Sequence, residues 1–538
     1  MNSVFEVFQA TAGRCPDAPF LCVPARPTRD YFPEGAEFSY RWMLEQALQA
    51  GECYAQAGYG SGHRVALLLE NRPAFFVHYL ALNSLGASIV PVNPDYRHDE
   101  IVYQLDHADA VLAVGIPSRL ADLEKASQEC PLQPPVIDHS TLPAHNPPAA
   151  PTALSLSSAA PGRDTECAML YTSGTTGRPK GCILSNDYFI TAGEWYLALG
   201  GQLSMEPGRE RVLNPLPLYH MNALAVTATA MMCSGNCLIS PDRFHPKSWW
   251  QDVTATQATA IHYLGVVPPL LLNQPPVPEE TRHRVKFGLG AGIDPDHHAA
   301  FERRFGFPMV EVWGMTETGR IYTDNHEPRA VGSRAFGRAV AGLEARVVDE
   351  RDQDVGPGTA GELLVRHSAD HPTTGFFSAY YKNDGATAEA WRGGWFHTGD
   401  TVRQDEEGML YFVDRNKNII RRSGENISAA EVEAALQIHE TVAQAAVIGV
   451  PDDLREEEVF ACIVVMPGED ATVDNARTLF NWCMDRLAYF KAPGYILFCE
   501  TLPTTGTQKV QKTQIFSSDT DPRSLPGVID FRADKRRG

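Results

Sequence analysis

The sequence predicts an α/β protein with a large N-terminal domain of α/β subdomains and a smaller α+β domain at the C-terminal end. Strand-like and helix-like apolar segments alternate along the first part of the chain, a pattern typical of parallel sheets covered by helices. The chain has 538 residues, more than a single hydrophobic core usually serves. Near its end the pattern changes to short strands around a helix, which predicts domains at 1–416 and 417–538.

The first alternating segments are apolar and short. They predict strands and helices in turn at 64–70, 74–87, 88–93, 99–109 and 110–115. Residues 131–163 are rich in Pro, Ala and Ser, which predicts a surface connection. Three later strands, in "ECAMLYTSG", "FGLGAGIDP" and "VEVWGMTETG", end in small or hydroxyl residues. We therefore expect these strand ends to share one site at the edge of a sheet.

The C-terminal segment contains a second set of signals. Ser428 precedes a helical pattern and Glu431 follows three residues later, which predicts a helix that Ser428 caps. The segment from Ser517 onward is charged and contains prolines, which predicts a tail.

Charge and composition exclude several classes of protein. The formal net charge of −20 disfavours nucleic acid and anionic membrane surfaces as partners. The eleven cysteines are scattered without zinc-type CxxC spacing, which predicts free thiols. No apolar stretch approaches the roughly 18 residues of a membrane helix. The first residues show no export signal, so we expect a soluble cytoplasmic protein.

The stretch "YTSGTTGRPKG" (171–181) follows a strand-like segment and combines glycines, hydroxyls and two cations. Glycine backbone N–H groups, Ser and Thr hydroxyls and the cations of Arg178 and Lys180 together suit a polyphosphate. It is not the Walker loop, because the second glycine of that motif would fall on Pro179. The stretch by itself is compatible with a phosphate loop or with an ordinary surface loop.

Five further motifs follow in order: "PLYHMN" (217–222), "GMTETG" (314–319), "GWFHTGD" (394–400), "DRNKNIIRRSGENIS" (414–428) and "LPTTGTQKVQK" (502–512). With them, nearly the whole chain resembles the adenylate-forming superfamily of acyl-CoA synthetases, peptide-synthetase adenylation domains and beetle luciferases. It is most similar to bacterial acyl-CoA ligases of the carnitine-CoA ligase kind.

The resemblance implies an ATP-dependent ligase. Such an enzyme adenylates a carboxylic acid with release of pyrophosphate and then transfers the acyl group to coenzyme A, giving acyl-CoA and AMP. The implied cofactors are ATP, Mg²⁺ and coenzyme A, and the implied partner is a small-molecule carboxylic acid, with neither nucleic acid nor membrane. A homodimer remains open.

The resemblance also assigns the nucleotide site. It implies that ATP and AMP are bound by Thr172, Ser173, Gly174, Thr175, Thr176, Gly177, Lys180, Gly290, Ala291, Gly292, Trp313, Gly314, Asp400 and Arg415. Trp313 stands where the family usually has a stacking Tyr, and Asp400 would accept hydrogen bonds from the ribose hydroxyls. Small residues at 290–292 let the adenine approach the backbone.

Four residues are implied in catalysis. Thr316 would hold an α-phosphate oxygen, and Glu317 would be a ligand of Mg²⁺ directly or through water. Lys509, in "TQK" where the family usually has "TGK", would bridge the substrate carboxylate and the α-phosphate. His220 would stand beside the carboxylate, and Lys512 is the rival for Lys509.

The implied acyl pocket is lined by His220, Met221, Val312, Gly314, Gly319 and Arg320. Arg320 is unusual, because many relatives have an apolar or small residue directly after this motif. If Arg320 points inward, it could pair with a polar or anionic tail of the acid. If it points outward, it is a surface arginine.

The thiol half-reaction is assigned to the mobile C-terminal domain. The resemblance implies that this domain rotates about a hinge at Lys417 and that Arg421, Arg422, Ser423, Gly424 and Glu425 bind coenzyme A or its pantetheine arm. Two other functions stay open. One is an adenylation enzyme that loads a carrier-protein phosphopantetheine thiol, and the other is a nucleotide-binding regulator without chemistry.

Overall fold

The computed structural model describes residues 1–151, 160–172, 178–265, 267–415, 419–503, 510, 512–517 and 520–537, with only the backbone at 414, 415, 430 and 513. Its strands are β1 Pro19–Val23, β2 Ala36–Ser39, β3 Arg64–Leu68, β4 Ser88–Pro91, β5 Leu112–Gly115, β6 Val136–Asp138, β7 Glu166–Thr172, β8 Lys180–Ser185, β9 Arg211–Leu213, β10 Cys237–Ile239, β11 Ala260–Leu264, β12 Phe287–Ala291, β13 Met309–Trp313, β14 Tyr322–Thr323, β15 Ala335–Arg338, β16 Glu344–Val348, β17 Ala360–Arg366, β18 Ala379–Tyr380, β19 Phe396–Gln404, β20 Met409–Arg415, β21 Ile419–Arg422, β22 Glu425–Ser428, β23 Val442–Asp452, β24 Glu456–Val465, β25 Tyr495–Phe498 and β26 Ile529–Asp530.

Its α-helices are α1 Val4–Arg14, α2 Tyr40–Gln56, α3 Pro73–Ser84, α4 His98–His107, α5 Leu120–Glu129, α6 Asn186–Ala198, α7 Thr229–Ser234, α8 Trp249–Ala255, α9 Val267–Leu272, α10 Pro295–Phe305, α11 Asp384–Ala390, α12 Ala429–Gln437 and α13 Val473–Arg486. Asn222–Ala228 forms a π-helix. Among the described residues, no helix combines the length and the apolar character needed to cross a bilayer.

The chain divides into two compact units. The first unit comprises 1–94, 104–170 and 181–415, and the second comprises 95–103, 171–180 and 416–538. The first unit carries a seven-stranded sheet in the order β18-β8-β7-β4-β3-β5-β6 and an eight-stranded sheet in the order β14-β13-β12-β11-β9-β10-β1-β2. A five-stranded antiparallel sheet, β15-β20-β19-β17-β16, completes its described strands.

The alternating segments predicted at 64–115 form β3, α3, β4, α4 and β5. All four residues of β4 and of β5 are buried, which is typical of parallel strands covered on both faces. Helix α3 begins at Pro73, whose fixed φ suits the first helical position, and the chain turns afterwards at Gly86 with φ +74°. The predicted α/β fold class is thus confirmed.

The three strand ends that we expected to share a site lie in two sheets. Strands β12 and β13 are parallel neighbours in the eight-stranded sheet. Strand β7 belongs to the seven-stranded sheet. The expectation of a single sheet edge is therefore wrong, because hydrophobic period alone does not specify which strands pair.

The second unit is built on the sheet β22-β21-β24-β25-β26, with β23 paired to β24. The hydroxyl of Ser428 accepts a hydrogen bond from the backbone N–H of Glu431, so the predicted helix cap is confirmed. The predicted tail from Ser517 is wrong for its last part. Strand β26 pairs with β25, and the buried ring of Phe531 stacks on Phe480.

Candidate active site

The turn after β12 contains the glycines expected to receive an adenine. A Cβ at Gly290 would lie 2.2 Å from the carbonyl oxygen of Tyr263, so only glycine fits against β11. Gly292 has φ +81°, which other residues adopt only with strain. Ala291 lies between them at the end of β12. Packing against Tyr263 therefore requires a glycine at 290 independently of any ligand.

Glu311 holds this turn in place, and sequence reasoning missed it. Its carboxylate accepts hydrogen bonds from the backbone N–H groups of Gly292, at 2.5 Å, and Ile293, at 3.3 Å. The hydroxyl of Tyr263 donates to the same carboxylate at 3.3 Å. Burial raises the pKa of Glu311 to about 7. The available signal was an acidic residue inside the otherwise apolar strand "VEVW".

We expect Glu311→Gln to weaken ATP binding several-fold, because a glutamine has one acceptor oxygen for two backbone donors. It should also remove a pH dependence. The pKa is raised from 4.5 to about 7, so the stability this group contributes is present below pH 4.5 and is lost as the pH rises through 7. The free energy of unfolding of wild type relative to Glu311→Gln should fall by up to about 1.4 kcal/mol per pH unit in that window.

Denaturant unfolding at several pH values and the KM for ATP measure these effects. The exposed Glu350→Gln is the control. Parallel pH profiles for wild type and Glu311→Gln would contradict the assignment.

Trp313 and Asp400 meet in the structure although they lie 87 residues apart. The indole N–H of Trp313 donates to Asp400 Oδ2 at 2.8 Å, and both side chains are buried. The ring of Trp313 is stacked on Phe336, with centroids 6.1 Å apart. Asp400 on β19 is paired in register with Arg415 on β20. The tryptophan that departs from the family's usual Tyr thus has its own partner for the indole N–H.

The "GMTETG" segment forms a tight turn after β13. The hydroxyl oxygen of Thr318 lies 3.0 Å from the carbonyl oxygens of both Met315 and Arg320. The carbonyl oxygen of Thr316 accepts the hydroxyl of Tyr188 at 2.7 Å. Gly319 has φ +65°, and a Cβ there would lie 2.4 Å from the carbonyl oxygen of Gly375. The turn is therefore fixed by packing on both sides.

Glu317 is buried, with 4% of the residue exposed. Its Oε1 accepts the hydroxyl of Tyr380 at 2.7 Å, and the N–H of Phe377 donates to its backbone carbonyl at 2.9 Å. Within the described ranges, no group of three or more His, Cys, Asp or Glu could by itself hold a metal.

The proposed pocket residues come from two segments of the first unit. His220 and Met221 immediately precede the π-helix, and Met221 is buried. Val312 is buried on β13. A Cβ at Gly314 would lie 2.6 Å from Ile321 Cγ2, so a side chain there would collide with the turn.

A buried polar network supports the π-helix after His220. The amide of Asn222 accepts from His262 Nδ1 at 2.8 Å and from Asn214 at 3.0 Å. Asn214 also donates to the hydroxyl of Thr227, and the hydroxyl of Tyr196 lies 2.9 Å from His262 Nε2. Burial lowers the pKa of His262 to about 3, so this ring is neutral. Such networks fix a unique conformation when all members are paired.

Arg320 is buried at 5% exposure. Its Nη1 donates to the carbonyl oxygen of Thr374 at 2.6 Å. The alternative that Arg320 is a surface arginine is therefore wrong. Because arginine side chains are rarely buried unless they are paired, sequence alone favours a surface position for Arg320.

In the second unit, Arg421 to Glu425 form a tight hairpin. Ser423 and Gly424 have φ of +52° and +88° between the paired residues Arg422 and Glu425, a geometry of two-residue hairpin turns. The side chain of Arg422 is buried and its Nε donates to Glu458 at 2.8 Å. The assignment of Arg422 to a coenzyme A phosphate is therefore corrected, because its guanidinium is enclosed in the sheet and paired with a carboxylate.

The phosphate stretch is described only at its ends. Thr172 ends β7 and Lys180 begins β8. Several sequence-predicted residues lie outside the described residues: Ser173, Gly174, Thr175, Thr176, Gly177, Lys417 and Lys509.

Comparison with known proteins gives relatives along the full length. A sulfoacetate–CoA ligase from Cupriavidus necator is 32% identical over 522 residues, covering 96% of this chain and 98% of that protein. A crotonobetaine/carnitine–CoA ligase from Proteus mirabilis is 29% identical over 501 residues, covering 89% and 93%.

Solved structures share the fold. An o-succinylbenzoate CoA synthetase from Bacillus subtilis has a TM-score of 0.81 at 23% identity, covering 97% of this chain and 99% of that chain. An amide bond synthetase from Marinactinospora thermotolerans has a TM-score of 0.79 at 23% identity, with coverage of 96% and 99%.

Two family matches complete the comparison. Residues 8–381 match the AMP-binding enzyme family, and residues 431–509 match the AMP-binding enzyme C-terminal domain. The resemblance inferred from the six ordered motifs is confirmed: the chain belongs to the family of AMP-binding enzymes.

Proposed function

We propose that this protein is an acid–thiol ligase that adenylates a carboxylic acid with ATP, releases pyrophosphate and transfers the acyl group to coenzyme A. The observation that carries the proposal is the match to both family domains along one chain whose full-length relatives are CoA ligases. An enzyme with two half-reactions needs both domains, whereas a nucleotide-binding regulator does not need the C-terminal domain.

The buried contact between Trp313 and Asp400 supports a nucleotide site in the first unit. We assign the adenine to the turn Gly290–Gly292 beside Trp313, and the ribose hydroxyls to the carboxylate of Asp400. Thr316 is assigned to an α-phosphate oxygen. From their sequence, Thr172, Lys180 and residues 173–177 are assigned to the β- and γ-phosphates, for which hydroxyls, backbone N–H groups and a cation are suitable donors.

The donor set fits Mg²⁺ through Glu317. Mg²⁺ is commonly held by one or two carboxylates together with substrate phosphates and water, and Glu317 is a buried carboxylate whose position Tyr380 fixes. When bound, the cation would neutralise phosphate charge at the reacting centre. The role of the chain is to orient that carboxylate and to exclude bulk water around it.

We expect Glu317→Gln to lower the rate of Mg²⁺-dependent pyrophosphate release at least about tenfold, since a neutral amide is a poor ligand for a hard cation. Calorimetry of ATP binding with and without Mg²⁺ supplies a second readout, in which the gain in affinity from Mg²⁺ should shrink. Tyr380→Phe is the matched control, because it removes the hydrogen bond and keeps the carboxylate. Full turnover by Glu317→Gln at ordinary Mg²⁺ would reject this role.

The proposed reaction is tested by pyrophosphate release with ATP, Mg²⁺ and a panel of aromatic, medium-chain, branched and dicarboxylic acids. Acyl transfer is followed separately with coenzyme A and with an amine, since one structural neighbour is an amide bond synthetase. Acid-dependent pyrophosphate release followed by acyl-CoA formation supports the proposal. The absence of release with every acid, or product formation only with the amine, would overturn it.

A further inference from the structure

The most unusual charged group of the first unit is the guanidinium of Arg320. It is almost fully buried, yet its Nε has no hydrogen-bond partner among the described residues. Nη1 donates to the carbonyl oxygen of Thr374, and the guanidinium carbon lies 5.5 Å from the centre of the Trp195 ring. A neutral carbonyl and a ring face do not balance a full positive charge in a low-dielectric interior.

No carboxylate of the described residues lies within ion-pairing distance of Arg320. The carboxylate that acts on its charge from further away is Asp187, which is itself paired with Arg163 at 2.5 Å. Burial lowers the pKa of Arg320 to about 10, so the group keeps its charge at neutral pH. A buried cation of this kind is stabilised when an anion is brought to it.

The surrounding chain leaves room for this guanidinium. Gly375 has φ +72°, and a Cβ at that position would lie 2.6 Å from Nη1 and 2.8 Å from Nη2 of Arg320. The indole N–H of Trp195 donates to the carbonyl oxygen of Ile321 at 2.9 Å, which fixes the ring beside the cation. The arginine thus occupies a space shaped for it.

The position of Arg320 connects it to the acyl site. It directly follows Gly319 in the turn after β13, and its carbonyl oxygen lies 3.6 Å from the place a Cβ of Gly314 would take. Gly314 and Gly319 are among the residues that we assign to the acyl pocket. Because Thr316 is assigned to an α-phosphate oxygen, the acid whose carboxylate attacks that phosphate would lie beside this turn.

We propose that Arg320 binds a distal anionic group of the acid substrate, a sulfonate or a second carboxylate. This inference rests on the ligase function proposed above. The acids named for two relatives differ in the charge of their distal group. Sulfoacetate carries a distal sulfonate, whereas carnitine and crotonobetaine carry a quaternary ammonium. A buried guanidinium whose Nε has no partner among the described residues attracts the first kind of tail and repels the second.

The test uses acids of one chain length that end in sulfonate, carboxylate, methyl or trimethylammonium. Wild type should show a kcat/KM for pyrophosphate release about 10- to 100-fold higher on the anionic tails than on the methyl tail. Arg320→Met should lower kcat/KM on the anionic tails by about that factor more than it lowers kcat/KM on the methyl tail. Arg209→Met, at an arginine whose side chain is 77% exposed, is the matched control.

Stability separates a binding role from a structural one. Because methionine replaces an unbalanced buried charge, Arg320→Met without ligand should be at least as stable as wild type in denaturant unfolding. Arg320→Lys, which keeps the charge on a different geometry, should restore part of the preference for anionic tails.

Three results would decide against the proposal. They are a wild type indifferent to tail charge, a preference for trimethylammonium, and equal losses by Arg320→Met on all four acids. The wild-type comparison needs no variant, so it holds even if Arg320→Met fails to fold. If wild type releases pyrophosphate neither with these four acids nor with any acid of the wider panel, the ligase proposal itself has failed. That outcome is distinguishable from failure of the Arg320 proposal alone.

Discussion

Replacing Lys509 by Ala is expected to slow acyl-adenylate formation about 10²- to 10³-fold, by analogy with the loss of one oxyanion donor. Negative charge builds up between the substrate carboxylate and the α-phosphate during adenylation, and we propose that the ammonium of Lys509 neutralises it. Pyrophosphate release from ATP and acid measures this step. Formation of acyl-CoA from pre-made acyl adenylate should remain close to the wild-type rate.

Lys512 provides the matched control for this variant. It lies three residues further along the same segment, and its ammonium is 2.6 Å from Glu433. Lys512→Ala should therefore leave adenylation within a few-fold of wild type. If Lys512→Ala rather than Lys509→Ala abolishes pyrophosphate release, the catalytic lysine has been assigned to the wrong residue.

Gly424 supplies the opposite half of the same experiment. We propose that its missing side chain keeps open the path of the pantetheine thiol, so Gly424→Leu should release pyrophosphate and accumulate adenylate without forming acyl-CoA. Leucine at φ +88° also strains the backbone. Gly468→Leu imposes similar strain in the same unit, at φ +98° with open space around it, and controls for this effect. If the Lys509 and Gly424 variants each lose both half-reactions equally, the proposal that one domain serves both steps is rejected.

Replacing Glu458 is expected to destabilise the second unit by about 3–5 kcal/mol, the usual cost of leaving buried charges unpaired. The carboxylate of Glu458 is fully buried and accepts Arg422 Nε at 2.8 Å and the ammonium of Lys535. Desolvation by burial, followed by the charge of Arg422, lowers the pKa of Lys535 to about 7. Glu458→Gln would leave these two cations without a counter-charge among the described residues.

Denaturant unfolding, together with hydrogen exchange of β24 and β25, measures this effect in the unit concerned. The exposed Glu469→Gln should change stability by less than about 0.5 kcal/mol. Replacing Glu458, Arg422 and Lys535 together by apolar residues should recover much of the loss, because buried ion groups are often replaceable as a set. A change below about 1 kcal/mol in Glu458→Gln, close to the size of a surface effect, would contradict this account.

The sequence by itself determined the fold class, the alternating elements of 64–115, the cap of α12 and the family. These features depend on local signals. Period-two and period-3.6 patterns arise within a few residues, a capping serine acts on an N–H three residues away, and the ordered motifs are read along the chain. The ordered motifs also locate Trp313 at the position where the family usually has a tyrosine.

Tertiary structure alone decided which side chains are paired and which are enclosed. Trp313 donates to Asp400 across 87 residues, and Glu458 joins Arg422 and Lys535 across 36 and 77 residues. Arg422 and Arg320 both look like surface arginines in sequence, because charged residues are rarely buried. The sheet encloses the first beside Glu458, and the turn at Gly375 makes room for the second beside Trp195. Burial and charge pairing depend on segments that only the folded chain brings together. They distinguish Arg422, which is paired with Glu458, from Arg320, whose Nε has no partner among the described residues.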